Sequence, residues 1–370
     1  MIPRLKGAVW ARHGDDLVVV ADPREQIVLS DPSGQVESLF ELLREGRRTP
    51  EELACDLAPR WPVTRAEVDE ALAALDGLGL LEEAAAGTTL SPLERERYFS
   101  NLAFFRTFAS LQRSPEQFQE RLLQAHVVLL GTGGLGSTVL IDLAGLGVGH
   151  LTLLDCDRVE LRNFARQFIY TEADIGQPKV ERAAARARAF NSGMEVTVVD
   201  RRVGGPGDLA PLVANADVVV SGIDHPKNVD LWVNEACVTA GVPYVRGGMF
   251  ARQAVYWSVD PGRSPCMACR HQEDELEAAQ PGTGRVAARL AEELQRVNRG
   301  VGPVASLIGS LVALEALRYL TGFAAPIAAG VYQWVDLLTC VQTAEPWRGN
   351  PDCPVCASAP ARDGPLLTRA

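Results

Sequence analysis

The sequence predicts an α/β protein with a mostly parallel sheet and a smaller α+β domain before it. Residues 126–157, "HVVLLGTGGLGSTVLIDLAGLGVGHLTLLDCD", have the pattern of a buried strand, a glycine-rich turn, an apolar helix and a second strand. That is a βαβ unit of the Rossmann-like type. Further buried-strand runs, "VTVVD" and "DVVVSG", alternate with helical patterns up to about residue 245, as expected for a parallel sheet covered by helices.

The bulk properties indicate a globular protein with room for two domains. The chain has 370 residues, of which 47% are hydrophobic and 22% charged. Its net charge of −11 argues against nucleic acid or an anionic membrane as a partner, because both require a basic face. The first residues lack a signal-peptide core, and the most apolar stretch carries Glu315 and Arg318. We therefore expect a cytoplasmic protein.

The first 86 residues predict a separate winged-helix-like domain. Residues 7–30 contain three short alternating runs, "GAVWAR", "LVVVA" and "QIVLS", typical of a β-meander. Thr49 and Thr64 each have glutamate three positions later, so both begin capping boxes and start helices. We assign 1–86 to this domain, 87–125 to a linker with connecting helices, 126–360 to the main domain and 361–370 to a tail. Within the main domain, 271–300 has the composition of a solvated helical excursion or mobile loop.

The glycine-rich turn predicts a nucleotide site. Its glycines allow the backbone to approach a phosphate closely, and the following helix offers unpaired N–H groups. An acidic residue about 20 positions later, Asp155, can bind ribose hydroxyls. Both a dinucleotide for redox chemistry and ATP fit this pattern. The glycines are Gly131, Gly133, Gly134 and Gly136.

Polar residues after Asp155 favour ATP. A hydride-transfer site needs an apolar slot for nicotinamide, whereas a site that cleaves pyrophosphate needs cations and donors aimed at the triphosphate. Taken singly, these residues also have ordinary interpretations as strand caps, a solvated face or a turn. Asp224 lies at the carboxyl end of a predicted strand, where an open α/β sheet binds ligands, and it can hold Mg²⁺. The other polar residues are Asn163, Arg166, Gln167 and Lys179.

Two C-x-x-C pairs predict a structural zinc site. Cys266 and Cys269 form one pair, Cys353 and Cys356 the other, and four thiolates suit one tetrahedral zinc ion. The alternative is two unrelated pairs of free or redox-active cysteines. We interpret Cys55 and Cys237 as packing residues in helices, and place Cys156 and Cys340 in strand-like runs.

In this order and spacing the motifs resemble the ubiquitin-activating-like adenylyltransferase superfamily, the ThiF/MoeB/HesA group, over roughly residues 94–358. The resemblance rests on the GxGGxG turn, "LTLLDCD", Asn-x-x-Arg-Gln at 163–167, "GQPK", "GSLVALEALRYLTG" and the cysteine pairs. It implies a homodimer that uses ATP and Mg²⁺ to adenylate a carboxylate, usually at a protein or peptide C-terminus. It also implies that Asp155 binds ribose and Asp224 the metal. The phosphate-binding residues would be Asn163, Arg166 and Lys179, with Gln167 in the same nucleotide site.

Two departures from the group's pattern affect the predicted chemistry. Relatives often carry an arginine that reaches the partner subunit's phosphates, but Ser100 stands at that place, so Arg95, Arg97 or Arg106 would have to replace it. The thioester-forming branch has a cysteine before the "VASLIG" helix, and residues 270–339 contain none. This favours an enzyme that makes only the adenylate.

Residues 5–84 resemble the PqqD-like peptide-recognition domain of ribosomal-peptide biosynthesis; an ordinary winged helix or a dimer cap is the alternative. We therefore predict ATP-dependent adenylation of a carboxylate on a ribosomally made precursor peptide, as in microcin C-like or pantocin-like pathways, with the leader bound by the first domain. The alternatives are a sulfur-carrier adenylyltransferase and a non-catalytic protein that delivers a leader peptide to a cyclodehydratase.

Overall fold

The computed structural model describes residues 1–279, 300–357 and, singly, 286, 290 and 359. The chain divides into two compact units, Met1–Glu120 and Arg121–Ala370. The predicted fold class is confirmed: the protein is α/β with an eight-stranded mixed sheet and small antiparallel sheets near the N-terminus. Most of the excursion predicted over 271–300, and the tail 361–370, lie outside the described residues. The predicted domain boundaries at 86 and 125 stay predictions.

The first unit contains the predicted meander and helices. Strands β2, β3 and β4 form an antiparallel sheet in that order, and β1 pairs with β5 in a second sheet that the sequence did not predict. The strands are β1 (Pro3–Leu5), β2 (Val9–His13), β3 (Asp16–Asp22), β4 (Glu25–Ser30) and β5 (Leu81–Glu83). The helices are α1 (Gln35–Glu45), α2 (Pro50–Leu57), α3 (Arg65–Gly77), α4 (Pro92–Arg97) and α5 (Phe99–Arg106).

Local signals and apolar burial explain these elements. Both capping boxes form, with Thr49 at the start of α2 and Thr64 at the start of α3, and each satisfies backbone N–H groups that the first helical turn leaves unpaired. Leu17 and Val19 on β3 are fully buried, in one core cluster with Leu39, Phe40 and Leu43 of α1. The ring of Trp10 packs edge-on against Phe40, with centroids 5.3 Å apart. One face of the meander therefore forms the core of this unit.

The second unit is built on the eight-stranded sheet, in the order β13-β12-β11-β10-β9-β6-β7-β8. Strands β10, β9, β6, β7 and β8 are mutually parallel, whereas β11, β12 and β13 extend the sheet in antiparallel fashion. The strands are β6 (His126–Leu130), β7 (His150–Asp155), β8 (Glu195–Asp200), β9 (Val218–Ser221), β10 (Tyr244–Phe250), β11 (Gln253–Val259), β12 (Val331–Asp336) and β13 (Gln342–Pro346). The helices, beginning with one that spans the unit boundary, are α6 (Pro115–Gln124), α7 (Gly134–Leu146), α8 (Lys179–Phe190), α9 (Pro206–Val213), α10 (Val229–Ala240), α11 (Met267–Ala279) and α12 (Gly302–Thr321).

The strand register sets the position of the site. Leu130 at the end of β6 pairs with Leu154 on β7 and with Ser221 on β9. Gly131, Asp155 and the turn after β9 therefore meet at one edge of the sheet, where the carboxyl ends of the parallel strands lie. Ligands bind at this edge in open α/β sheets.

Helix α12 packs against α7 and against strands β10 and β11. By length and composition it is the single helix among the described residues that could cross a membrane, but more than half of it is buried inside the protein. A core helix meets the same criterion. Its Glu315 is completely buried and accepts hydrogen bonds from Ala328 N at 2.8 Å and Ser258 Oγ at 3.1 Å. Burial raises the pKa of Glu315.

The positions of the four cysteines outside the C-x-x-C pairs agree only in part with the sequence interpretation. Cys237 is buried in α10, as predicted for a packing residue. Cys55 is exposed on α2, because it lies on the outer side of a helix whose buried residues are Leu53, Ala54 and Leu57. Cys156 and Cys340 are also exposed, since each lies just beyond a strand rather than inside one.

Candidate active site

The glycine turn between β6 and α7 has geometry that only glycine permits. Gly131 has a φ of 89°, and a Cβ built on it would lie 3.0 Å from the carbonyl carbon of Gly222. A Cβ on Gly136 would lie 1.9 Å from the carbonyl oxygen of Gly131. The N-cap of α7 is Gly133, which has no capping side chain. The first amides of α7 are thus available to an anion such as a phosphate.

Asp155 ends β7 in a fixed orientation. Its Oδ2 accepts hydrogen bonds from the N and Oγ1 of Thr132, at 2.8 and 2.9 Å, and its Oδ1 accepts from the N of Asp157 at 2.8 Å. Tyr170 donates from its hydroxyl to Thr132, and burial raises the pKa of Tyr170. A carboxylate has about four acceptor sites, so Asp155 keeps acceptor capacity for a ribose hydroxyl. The sequence did not point to Thr132 or Tyr170.

The segment after β7 places two further predicted residues, Arg166 and Gln167, next to the glycine turn. The stem of Arg166 would be 3.2 Å from a Cβ on Gly134, and the Nε2 of Gln167 would be 3.8 Å from one on Gly133. Gln167 is 2% exposed, yet its Oε1 has no hydrogen-bond partner. The Arg166 guanidinium makes no hydrogen bond or ion pair with the described residues. Both side chains therefore have bonding capacity left for a ligand.

Asn163 stabilises the turn that carries Arg166 and Gln167. Its backbone carbonyl accepts hydrogen bonds from the N of Arg166 and the N of Gln167, both at 3.0 Å. Its side-chain Oδ1 accepts from the N of Glu160 at 2.9 Å. In this structure Asn163 thus shapes the turn that presents its two neighbours. A phosphate contact from its side-chain amide stays a prediction.

Lys179 is the first residue of α8 and brings a buried cation to the same edge of the sheet. It is 5% exposed, and its Nζ lies 3.0 Å from the Oδ2 of Asp157. The Asp157 side chain is 59% exposed, so water competes for its charge and the lysine is not fully neutralised. The sequence motifs did not point to Asp157, although its position two residues after Asp155 was an available signal.

Asp224 lies on the turn after β9. Its side chain is exposed, and it makes no hydrogen bond or ion pair within the part of the chain that the structure describes. A free carboxylate at this position fits a divalent cation, which prefers oxygen ligands. The structure thus brings the predicted residues to one edge of the sheet, while their contacts with a nucleotide stay predictions.

A second buried cation, Arg246 on β10, was also missed. It is 8% exposed, its Nε lies 2.7 Å from Asp230 Oδ1, and it donates to Ser221 Oγ at 3.2 Å and to the carbonyl of Ile223. Burial raises the pKa of Asp230, and the charge of Arg246 opposes that rise. One lone charge in the apolar run "VPYVRGGMF" was the signal for this residue.

The four cysteines of the C-x-x-C pairs converge into one cluster. The Sγ atoms of Cys266 and Cys353 are 3.7 Å apart, and those of Cys269 and Cys356 are 3.5 Å apart. All four ligand atoms lie within 4.8 Å of one another. Four thiolates about 2.3 Å from a tetrahedral zinc ion have nearly this spacing. The predicted convergence is confirmed and the cluster fits zinc, whose presence stays a prediction.

The position of the missing arginine lies in the first unit. Ser100 is exposed on α5. Arg106 forms an ion pair with Glu82 at 3.3 Å, and Arg97 also has a bonding partner. Arg95 is exposed and has no ion pair with the described residues, which makes it the freest of the three predicted replacements.

The fold and the site define an α/β protein with a nucleotide-binding glycine turn. Residues 105–355 match the ThiF family, and the chain belongs to that family. The SAMP-activating enzyme E1 of Haloferax volcanii is 33% identical over 238 residues, which is 64% of this chain and 82% of that protein. The molybdopterin-synthase adenylyltransferase of Escherichia coli is 33% identical over 64% of this chain and 89% of its own. The protein is an adenylyltransferase of the ThiF/MoeB type.

Similarity to a solved structure extends over both units. The crystal structure of E. coli MccB with MccA covers 97% of this chain and 100% of that one, with a TM-score of 0.75 and 22% sequence identity. Another structure of MccB describes it as a microcin C7 biosynthetic enzyme in complex with N-formylated MccA. At this level of identity the similarity shows the fold alone.

Proposed function

We propose that the protein adenylates a carboxylate of a ribosomally made precursor peptide. The observation that carries this proposal is that the first unit lies largely outside the family match but within the similarity to MccB. The molybdopterin-synthase adenylyltransferase matches 64% of the chain, and the family match begins at residue 105. The MccB structure, solved with MccA, follows the fold along 97% of the chain. If the substrate is a precursor peptide, the first unit has a role, because it can bind the leader of that peptide.

The reaction transfers AMP from ATP to the peptide carboxylate. A carboxylate oxygen attacks the α-phosphorus, the bond from that phosphorus to the bridging oxygen breaks, and pyrophosphate leaves with the electron pair. No side-chain nucleophile is needed. Catalysis then consists of holding the triphosphate in place and stabilising the charge that builds up on its oxygens.

Each predicted residue has one task in this scheme. Asp155 accepts from the ribose hydroxyls with the capacity that Thr132 and Asp157 leave open. The first amides of α7 bind phosphate oxygens. Arg166 and Lys179 supply positive charge to the α-phosphate and the departing pyrophosphate. The unpaired Oε1 of Gln167 accepts a hydrogen bond from the nucleotide.

Asp224 would hold Mg²⁺, which when bound neutralises phosphate charge. The four-cysteine cluster would hold a structural zinc ion away from this chemistry. The protein would act as a homodimer in which Arg95 takes the place of the arginine that Ser100 replaces. Because residues 270–339 contain no cysteine, the peptide would stay an adenylate and would not become an enzyme thioester.

The first unit would bind the leader of the precursor by strand addition. Strands β2 and β4 are the outer strands of the meander, so each has one side of backbone N–H and C=O groups open for pairing. Val28 on β4 is 53% exposed and offers an apolar contact beside that edge. Binding the leader raises the local concentration of the carboxylate and improves apparent affinity rather than the chemical step.

The test is pyrophosphate exchange into ATP with purified protein and a precursor peptide encoded nearby. We expect exchange that depends on peptide, on Mg²⁺ and on Lys179 and Asp224, each replaced by alanine in turn. Deleting residues 1–86 should raise the apparent KM for the full-length precursor and leave exchange with a leaderless fragment at high concentration unchanged. No exchange with any peptide would instead favour a non-catalytic role in leader delivery.

A second function, adenylation of a sulfur-carrier protein, is favoured by the identity levels. A sulfur carrier protein adenylyltransferase of Thermus thermophilus is 32% identical over 66% of this chain. The same assay separates the two functions. A small carrier protein ending in Gly-Gly that supports exchange better than the precursor peptide would reject the peptide proposal.

A further inference from the structure

Arg246 is a buried cation to which the scheme above gives no task. Its neighbours across the sheet are Ser221 on β9 and Trp257 on β11. Its guanidinium donates to the Ser221 hydroxyl and the Ile223 carbonyl, and its Nε pairs with Asp230 in the first turn of α10. One planar group therefore joins the end of β9, the turn after it and the start of α10.

The turn that carries Asp224 has few other restraints. Gly222 still donates its N–H to strand β6. For residues 223–225, the bond from Arg246 to the Ile223 carbonyl is the only hydrogen bond that the structure records within the described part of the chain. The exposed Asp224 carboxylate makes no bond of its own there. Its position therefore depends on the backbone that Arg246 holds.

Strand β10 is a rigid support for that contact. A Cβ on Gly247 would lie 2.6 Å from Ile308 Cγ2 and 2.8 Å from Val312 Cγ2, so the strand lies directly on α12. It is also hydrogen-bonded on both sides, to β9 and β11. Such packing leaves little freedom for the residue next to Gly247. Arg246 can thus tie a turn with few hydrogen bonds to a closely packed strand.

We propose that Arg246 is a positioning residue that holds residues 222–224 so that the Asp224 carboxylate meets the metal ion of the nucleotide. This inference rests on the proposed metal role of Asp224. Asp230 balances the charge of Arg246, so the arginine acts within the protein and does not contact the substrate. A lysine cannot replace it, because the Nη1 of Arg246 bonds to Ser221 and Ile223 while its separate Nε lies against Asp230. The single nitrogen of an ammonium cannot occupy both places.

The test compares Arg246→Lys with a matched control, Arg252→Lys. Arg252 lies on the turn between β10 and β11 and forms an exposed pair with Asp336 at 3.9 Å. Hydrogen–deuterium exchange of the Gly222 and Val229 amides, which flank the turn and bond to the carbonyls of Leu130 and Pro226, is measured without nucleotide. It should become about tenfold faster or more in Arg246→Lys, because the turn between them loses the charge-assisted hydrogen bond at Ile223. The control should not change.

Magnesium dependence separates positioning from general loss of structure. The Mg²⁺ concentration for half-maximal pyrophosphate exchange should rise at least about threefold in Arg246→Lys. A lower fraction of folded enzyme would reduce kcat without moving that midpoint. If the lysine variant fails to fold, Arg246→Leu/Asp230→Leu removes the ion pair as a unit and allows the same measurements.

The outcomes distinguish this inference from the proposed function. Unchanged backbone exchange and an unchanged Mg²⁺ midpoint in Arg246→Lys would overturn the positioning role, even where Asp224→Asn abolishes activity. Conversely, pyrophosphate exchange that survives Asp224→Asn would reject the metal role of Asp224. The link from Arg246 to the metal would be rejected with it.

Discussion

The two ends of the parallel strands differ in what their polar side chains contact. At the carboxyl ends, Arg166 and Asp224 make no hydrogen bond or ion pair with the described residues, and the buried Oε1 of Gln167 has no partner. Strand termini at both ends of the sheet carry polar residues, so polarity alone does not mark the site. The carboxyl ends hold polar groups whose bonding capacity is unused.

At the amino ends the polar side chains bond to one another. The rings of His126 and His150 stack with centroids 4.0 Å apart. His126 Nε2 contacts Thr152 Oγ1 at 2.9 Å and His150 Nε2 contacts Thr197 Oγ1 at 3.0 Å. The polar side chains of these four residues therefore bond to one another. Open bonding capacity therefore distinguishes the carboxyl edge, where we predict ligand binding, from the amino edge.

In the cysteine cluster four thiols converge without a cation beside them among the described residues. We expect the largest effect of any prediction there, as a loss of stability when the metal or one of its ligands is removed. Freshly purified protein should contain one zinc ion per chain. Chelation or Cys353→Ser should lower the free energy of unfolding by at least about 3 kcal/mol, because the metal closes a long loop. Cys340→Ser, at an exposed thiol, is the control. Elemental analysis without zinc would contradict this prediction.

At the carboxyl edge, replacing an unpaired cation should affect catalysis and spare stability. Arg166→Ala should reduce kcat for pyrophosphate exchange by about 10²–10³-fold, the cost of removing one group that stabilises transition-state charge. Arg162→Ala is the matched control, because Arg162 is 81% exposed and already pairs with Glu160. Equal losses in the two variants would mean that the segment as a whole, and not the open guanidinium, matters.

The glycine turn could be predicted from the sequence because its backbone conformation permits only glycine at certain positions. The positive φ of Gly131 and the close approach at Gly136 exclude side chains, so the sequence itself records the geometry. The convergence of the cysteine pairs was predictable from ligand spacing. The α/β alternation was equally visible, because buried strands and amphipathic helices differ in apolar period.

The partners of Asp155 and the role of Arg246 could not be predicted in the same way. Thr132 bonds to Asp155, and Arg246 reaches Ile223, because strand register and order bring them together. Local sequence patterns do not specify which strands are neighbours. The pairing of β1 with β5 was missed for the same reason, since it joins distant parts of the chain.

In the core, a fully bonded carboxylate should matter for stability and not for ATP. Glu315→Gln should lower the free energy of unfolding by about 1–3 kcal/mol, because its amide nitrogen would face a donor at either oxygen position. Those donors include Ala328 N at 2.8 Å and Ile327 N at 3.3 Å. Urea unfolding measures the loss, with Glu235→Gln at an exposed site of α10 as control. Weakened ATP binding at unchanged stability would show that Glu315 serves nucleotide binding and not the stability of the fold.

The smallest expected effect is a pH dependence at the amino edge. Burial lowers the pKa of His126, and the neighbouring His150 lowers it further, whereas the carbonyl of Asn215 and the carboxylates of Asp217 and Glu195 oppose the shift. A histidine whose pKa is lower in the folded state binds protons more weakly there than in the unfolded chain. It therefore destabilises the fold as pH falls through the unfolded-state value of about 6.5.

His126→Gln should remove part of this dependence. Because the imidazole is partly exposed and solvent screens its charge, we expect a difference below about 1 kcal/mol between pH 8 and pH 5.5. Urea unfolding of wild type, His126→Gln and an exposed control, His13→Gln, at the two pH values measures it. A wild-type protein that gains stability on acidification relative to His126→Gln would show that the folded state prefers the protonated ring. The amino edge would then hold open acceptor capacity, and the contrast between the two ends of the sheet would fail.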